Sequence, residues 1–236
     1  MSAGNVQGFG RPWRLPRGRH GLSRETVVRS QRERLIAAMV RVVAARGYES
    51  TSVADVLEAS GVGRATFYEL FNDREDCFLV AHQVLTDDLF AHTLGAFRRP
   101  GPWPQRIREA LGALLEWLAS DPDIARVTLL EIASIGPAAR QRFGEGLDNF
   151  VSLLDEGRVA DGSGDGLPNI SGIAAGTIFA RIYGEVVLGR TAELRQLHPI
   201  LTYEVLLPFV GVEAAREEQR LAKHSGLEQA GLIDSE

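Results

Sequence analysis

The chain has 236 residues, 44% hydrophobic and 24% charged, enough for one large or two small domains with a sizeable core. It holds no run of 18 or more apolar residues, and no apolar stretch follows its arginine-rich start, which reads against a membrane span and a secretory signal. The net charge of −5 divides unevenly: residues 1–72 carry eleven arginines against six acids, and the remainder 15 basic against 25 acidic residues. The single cysteine, Cys77, excludes an internal disulfide and a multi-cysteine zinc site, and suits a reducing cytoplasm.

Residues 1–22 are rich in Gly, Arg and Pro without periodicity and are expected to be a disordered basic arm. From Ser23 the pattern turns helical, with Leu35, Ile36, Met39, Val40, Val42 and Val43 at helical spacing and Gly47 where a C-terminal cap belongs. A second helix is expected from Thr51 or Ser52, with a Ser52–Asp55 capping box, to Ser60 before Gly61. A short third helix spans about Arg64 to Phe71, and Asn72 or Asp73 caps a long fourth one reaching Phe97. The proline-rich stretch from Pro100 to Pro104 breaks the chain. A fifth helix runs to Ala119, and a sixth from Asp121-Pro122 to Ile135. After Gly136-Pro137 a seventh reaches about Gly157. The glycine-rich stretch at 161–166 reads as a loop, and two last core helices cover roughly Ile170 to Gly189 and Glu193 to Val210. The polar tail beyond Gly211 is expected to form at most one loose helix. No strand pattern or internal repeat competes, so the fold is expected to be all-α.

Two short helices around a glycine turn, packed on a longer first helix, have the layout of a helix-turn-helix, with Val53, Val56, Val62, Phe67 and Phe71 available for a shared core. In that geometry the second helix enters the major groove. An ordinary helical hairpin inside a bundle has the same pattern, and the basic charge of this end favours DNA.

The stretch from Gly47 through Tyr48, Thr51, Ser52 and Val56, continued by Ser60-Gly61-Val62-Gly63-Arg64-Ala65-Thr66-Phe67-Tyr68 and ending at Asp73-Arg74-Glu75, resembles the TetR family of transcriptional regulators. The resemblance covers about residues 30 to 80. Two positions depart from it: Gly63 replaces the usual Ser cap, and Leu70 stands where a polar or aromatic residue is common. Beyond the basic arm at 1–22, it implies a three-helix DNA-binding domain at 23–72. A ligand-binding and dimerisation domain at 73–212 and a polar tail at 213–236 would follow.

The residues expected at DNA are Thr51, Ser52, Arg64, Ala65, Thr66, Tyr68, Glu69 and Arg74. Arg64 and Thr66 lie in the first turn of the recognition helix, within reach of bases or phosphate. Tyr68 matches the family's tyrosine, offering a hydroxyl to phosphate or simply packing. Glu69 accepts from a cytosine amino group or, the favoured reading, faces solvent. Thr51 and Ser52 place hydroxyls and free N–H groups at a helix start, a phosphate site as well as a cap. Arg74 matches the family's phosphate-contacting basic residue.

Rival chemistries lack their motifs: there is no G-x-S-x-G elbow, H-E-x-x-H, Walker loop or dinucleotide fingerprint, and the five histidines do not pair at metal spacing. Asp161, Ser163, Asp165 and Gly166 imitate the start of an EF-hand, but Gly172 stands where the bidentate Glu is needed. No cofactor, metal or enzymatic activity is expected, and Cys77 reads as a buried structural thiol.

Candidate effector-lining residues in the body are Leu85, Leu89, Leu114, Trp117, Thr128, Glu131, Phe150, Phe179 and Tyr183. Glu131, inside an apolar run, is expected to be exposed or, if buried, to need a partner such as Arg126, Arg181 or a ligand cation. Small residues on the eighth helix (Gly172, Ala174, Ala175, Gly176, Ala180, Gly184) and apolar ones on the ninth suit a four-helix dimer interface or packing within the same bundle. The resulting expectation is a cytoplasmic homodimer on double-stranded DNA, released as a repressor by a small-molecule effector. An activator or unliganded regulator with the same contacts, and a helical scaffold without DNA binding, remain the alternatives.

Overall fold

A computed structural model describes residues 23–160 and 169–229 of the chain. The basic arm and the 161–166 loop lie outside the described residues. Among the described residues every regular element is a helix.

Local signals start and stop the first four helices. α1 (Arg24–Arg46) opens on Ser23, whose hydroxyl accepts the Thr26 N–H, and closes at Gly47 with φ +78°. α2 (Val53–Ser60) carries a complete capping box: the Ser52 hydroxyl accepts the Asp55 N–H, and the Asp55 carboxylate accepts the Ser52 N–H. It ends at Gly61, whose left-handed conformation favours glycine. Two α1 side chains reinforce that end, Arg34 donating to the Ser60 carbonyl and Arg41 to that of Ala59, which places cations at the negative end of the helix dipole. α3 (Arg64–Leu70) starts at Gly63 with no side-chain cap. Asp73 caps α4 (Arg74–Phe97) by accepting the Asp76 N–H.

α5 (Trp103–Ser120) follows the proline-rich break, and Asp121 caps α6 (Pro122–Leu129) through the N–H groups of Asp123 and Ile124. Helix α6 ends six residues earlier than its sequence suggests: Glu131–Ser134 form a 3-10 turn, closed by the Ile135 N–H on the Ile132 carbonyl. The tighter turn sends Ile132 into a core and the Glu131 carboxylate to a distant backbone, contacts that override local helix propensity. α7 (Pro137–Ala160) and α8 (Ile170–Val187) follow.

The last helix begins later and runs further than expected. Thr191–Leu197 is a 3-10 stretch, and α9 (His198–Gln229) bends at Gly211, whose φ is +77°. Pro208 lacks the N–H that would bond back one turn, and Gly211 lets the chain re-enter a helix. Beyond the bend the tail is not loose. Ala215 and Ala222, seven residues apart, are fully buried, and Glu218 pairs with Arg108 of α5 at 2.7 Å.

Side chains gather into two cores. One joins α1, Val56, Val62, Phe67 and Phe71 to the first half of α4 as far as Leu85, and takes in Ile124, Val127 and Ile132 from α6 and its 3-10 turn. The other starts at Leu89 and joins the second half of α4 to α5, α7, α8 and α9. Helix α4 therefore runs through both, and α6 wedges between them. By length and mean hydropathy (1.3) α8 alone among the described helices could cross a membrane, unlike the expectation from unbroken apolar runs. It contains Arg181 and Glu185, and Ala174, Ala175, Ile178 and Ile182 pack into the second core.

Candidate nucleic-acid interface and cavity

Phe67, fully buried, fixes the rotation of α3 by inserting into the first core. Positions one residue before and after it, and their neighbours one turn away, then point outward: Arg64, Ala65 and Glu69 are exposed, Tyr68 is 52% exposed, and Thr66 is half-buried. The Tyr68 ring stands edge-on to Phe67 at 5.3 Å and leaves its hydroxyl free for an outside partner. Arg64, Ala65, Tyr68 and Glu69 thus share one face of a helix, at i, i+1, i+4 and i+5.

Three other expected contacts are partly committed inside the protein. Thr51 is buried, and its hydroxyl donates to the Gly47 carbonyl at 2.8 Å, so only the turn it shapes, not its side chain, faces outward. Ser52 is exposed and serves as the α2 cap. Its N–H and hydroxyl, together with Arg46 at 2.7 Å, hold the Asp55 carboxyl below its ordinary range. Arg74 is half-buried: Nη1 donates to the carbonyls of Thr51 and, at 3.4 Å, Tyr48, and the guanidinium lies 4.2 Å over the Tyr48 ring. Burial raises the Tyr48 pKa above its usual value, with Arg74 opposing. Cys77 is buried, and desolvation pushes its thiol up to about 12, which leaves it unreactive.

Glu131 is buried rather than exposed. One carboxylate oxygen accepts the Tyr48 N–H at 2.8 Å and the other pairs with Arg126 at 3.1 Å, so of the partners foreseen it takes Arg126, with a backbone amide besides.

A small apolar cleft, half open to solvent and about 290 Å³ only when its open mouth is counted, lies in the second core. Leu114 and Phe150, two of the residues considered for an effector, are among its walls. The other walls come from Thr93 on α4, from Ile107, Ala110 and Leu111 on α5, from Leu153 and Leu154 on α7, and from Ile178 on α8. Ile107, Ala110, Leu111 and Leu114 form a visible stripe at helical spacing. Nothing in the sequence says that this stripe faces unfilled space.

The remaining expected lining residues sit elsewhere. Leu85 belongs to the first core, and Leu89 packs in the second away from the cavity wall. Trp117 turns its indole N–H to Asp88 at 2.7 Å. Thr128 is buried between α4 and α6, its carbonyl 3.0 Å from His82 Nε2, and Glu131 belongs to the α1 contact. Phe179 and Tyr183 meet with their rings tilted at 5.3 Å toward the outer side of α8, where Tyr183 is 37% exposed.

That outer side carries an apolar stripe. Ile173, Gly176, Ala180, Tyr183 and Val187 recur every three or four residues of α8 and are exposed. Ile200, Tyr203, Leu207 and Val210 do the same on α9, exposed or half-buried. Ala174, Ala175, Leu201, Val205, Leu206 and Phe209, expected at an interface, face the chain's own core instead.

Residues 35–81 match the model of a family described as bacterial regulatory proteins, tetR family. Over 129 residues the chain is 26% identical to the fatty acid metabolism regulator protein of Bacillus subtilis (strain 168), an alignment spanning 51% of this chain and 62% of that relative. The fold is similar to that of the FadR transcriptional regulator from Bacillus subtilis, solved with stearoyl-CoA: TM-score 0.65, 22% identity, 76% of this chain and 98% of that one. The fatty acid degradation regulator FadR from Bacillus halodurans gives a TM-score of 0.63 at 22% identity, covering 73% and 94%.

Proposed function

Because the chain belongs to the tetR family of bacterial regulatory proteins, we propose that this DNA-binding transcriptional regulator is a cytoplasmic homodimeric repressor. It would sit on a palindromic operator and be released by an apolar effector. The observation that carries the reading is the α3 face, where buried Phe67 aims Arg64, Ala65, Tyr68 and Glu69 outward from a rigid core. A helix so anchored enters the major groove with its first turn on base edges, while Tyr68, Ser52 and the free edge of Arg74 serve phosphates. Two copies must present their α3 helices about 34–36 Å apart to meet successive grooves on one face of the duplex. The exposed stripe of α8, with Ile200 of α9, offers the self-complementary surface that a two-fold axis requires.

The effector would occupy the cavity between α4, α5, α7 and α8. Its walls are hydrocarbon except for Thr93, whose hydroxyl already donates to the Leu89 carbonyl, so a ligand there gains chiefly by burying apolar surface. An acyl chain fits that chemistry, and the stearoyl-CoA bound to the Bacillus subtilis FadR supports the choice. The test is selection of bound duplexes from a random pool, followed by a salt series. A palindromic consensus whose affinity falls with rising salt is the expected result. A protein that enriches no sequence and binds no duplex is a scaffold instead.

A further inference from the structure

We propose that Glu131 is a positioning residue for DNA binding, the point at which the helical body grips the helix-turn-helix. The inference rests on the DNA-binding function above. Helix α4 is continuous through both cores, and a single shared helix leaves the DNA-binding head free to bend and rotate about it. The apolar contacts of Ile124, Val127 and Ile132 are non-directional. The Glu131 bond is directional. Its carboxylate crosses 83 positions of sequence to accept the Tyr48 N–H, at the turn between α1 and α2. Gly47, just before it, takes a φ of +78° that favours glycine, and its backbone lies in ordinary contact with the same carboxylate. The Gly47 carbonyl of the same peptide accepts the Thr51 hydroxyl at 2.8 Å, and the Tyr48 ring is held between the Arg74 guanidinium at 4.2 Å and Phe78 at 5.0 Å. The residue so gripped leads within four positions to Ser52, the cap of α2. Arg126 pairs with the second oxygen from α6, the element wedged between the cores, so a shift of α6 moves the carboxylate and with it the head.

The experiment compares full-length wild type with Glu131→Ala, Glu131→Gln and Glu131→Asp. Hydrogen exchange without DNA comes first. Glu131→Ala is expected to speed exchange of residues 47–56 by about tenfold, the loss of one charge-assisted hydrogen bond, while residues 111–118 of α5 keep their protection. Glu131→Gln keeps an acceptor and is expected to stay within about threefold of wild type. Glu131→Asp keeps the charge but withdraws it by one methylene, and serves as the loosened variant should Glu131→Ala not fold. Unchanged exchange at 47–56 in the loosened variant overturns the proposal.

Affinities are then measured on the selected palindrome and on a single half-site. A loosened head still fits one half-site but must be ordered to fit two. The ratio of palindrome to half-site affinity is therefore expected to fall about tenfold, with half-site affinity within about threefold of wild type. Equal losses on both duplexes mean plain damage to the head and overturn positioning. Wild type that binds neither duplex refutes the proposed function, and the exchange result still decides whether the grip exists.

Discussion

Replacing Arg74 by alanine separates the two roles open to that side chain, because the structure makes a definite claim about its stability cost. Nη1 donates a charge-assisted hydrogen bond to the Thr51 carbonyl, of a kind that contributes about 1.5–3 kcal/mol. The 3.4 Å contact to the Tyr48 carbonyl is at the limit of a hydrogen bond and adds little. The guanidinium 4.2 Å above the Tyr48 ring adds roughly 0.5–1 kcal/mol at a half-buried site. Arg74→Ala is therefore expected to lose about 2–4 kcal/mol, a fall in Tm of roughly 4–16 °C for a chain of this size. Arg74→Lys keeps the charge but neither the planar stacking nor the fork of donors, and should recover less than half of that loss. The assay pairs thermal denaturation with duplex binding over a salt series. A role confined to phosphate predicts an unchanged Tm and a salt slope lower by about one. An Arg74→Ala protein that melts with wild type refutes the structural clamp.

Acid should destabilise the protein through His198. Burial, the larger effect, depresses its pKa, and the Arg108 carbonyl 2.8 Å from Nε2 opposes. A depressed folded-state value means that the unfolded chain takes up the proton first. Stability is therefore intact above the ordinary imidazole value near 6.5 and declines as pH falls through it toward the folded value. The Tm of His198→Gln should vary less than that of wild type between pH 7 and 5, and parallel curves would remove His198 as the cause. Gly112→Ala places a Cβ 3.1 Å from that imidazole and is expected to cost about 1–3 kcal/mol in denaturant titration; no cost would mean that the ring moves freely. Ile173→Glu with Val187→Glu puts charges on the exposed α8 stripe, and sedimentation should then show a folded monomer that has lost its preference for palindromes. A double variant that still sediments as a dimer places the interface elsewhere. Ala110→Phe fills the cavity and should weaken binding of an acyl-CoA probe at least tenfold with operator affinity kept; undiminished probe binding would locate the effector outside it.

Much of the helical plan was legible along the chain because its signals close within four residues. The Ser52–Asp55 box, Asp73 and Asp121 each satisfy N–H groups next to themselves, and Gly47 and Gly61 adopt positive φ where a helix must stop. The outward face of α3 was legible too, since one buried residue, Phe67, sets the rotation of a seven-residue helix. The lining of the cavity was not. Its stripe on α5 reads like any core stripe, and whether such a stripe meets a neighbour or a gap depends on how α4, α7 and α8 cross it. The tail after Gly211 reads as polar, yet small residues seven apart let it dock and Arg108 gives Glu218 a partner 110 positions away. Glu131 shows the division most directly. The sequence determined that a carboxylate in an apolar run needs a partner if buried, because an unpaired charge cannot leave water cheaply. Only the tertiary structure decided that the Tyr48 amide shares the carboxylate with Arg126, because that N–H is brought within 2.8 Å by the packing of α6 against α1.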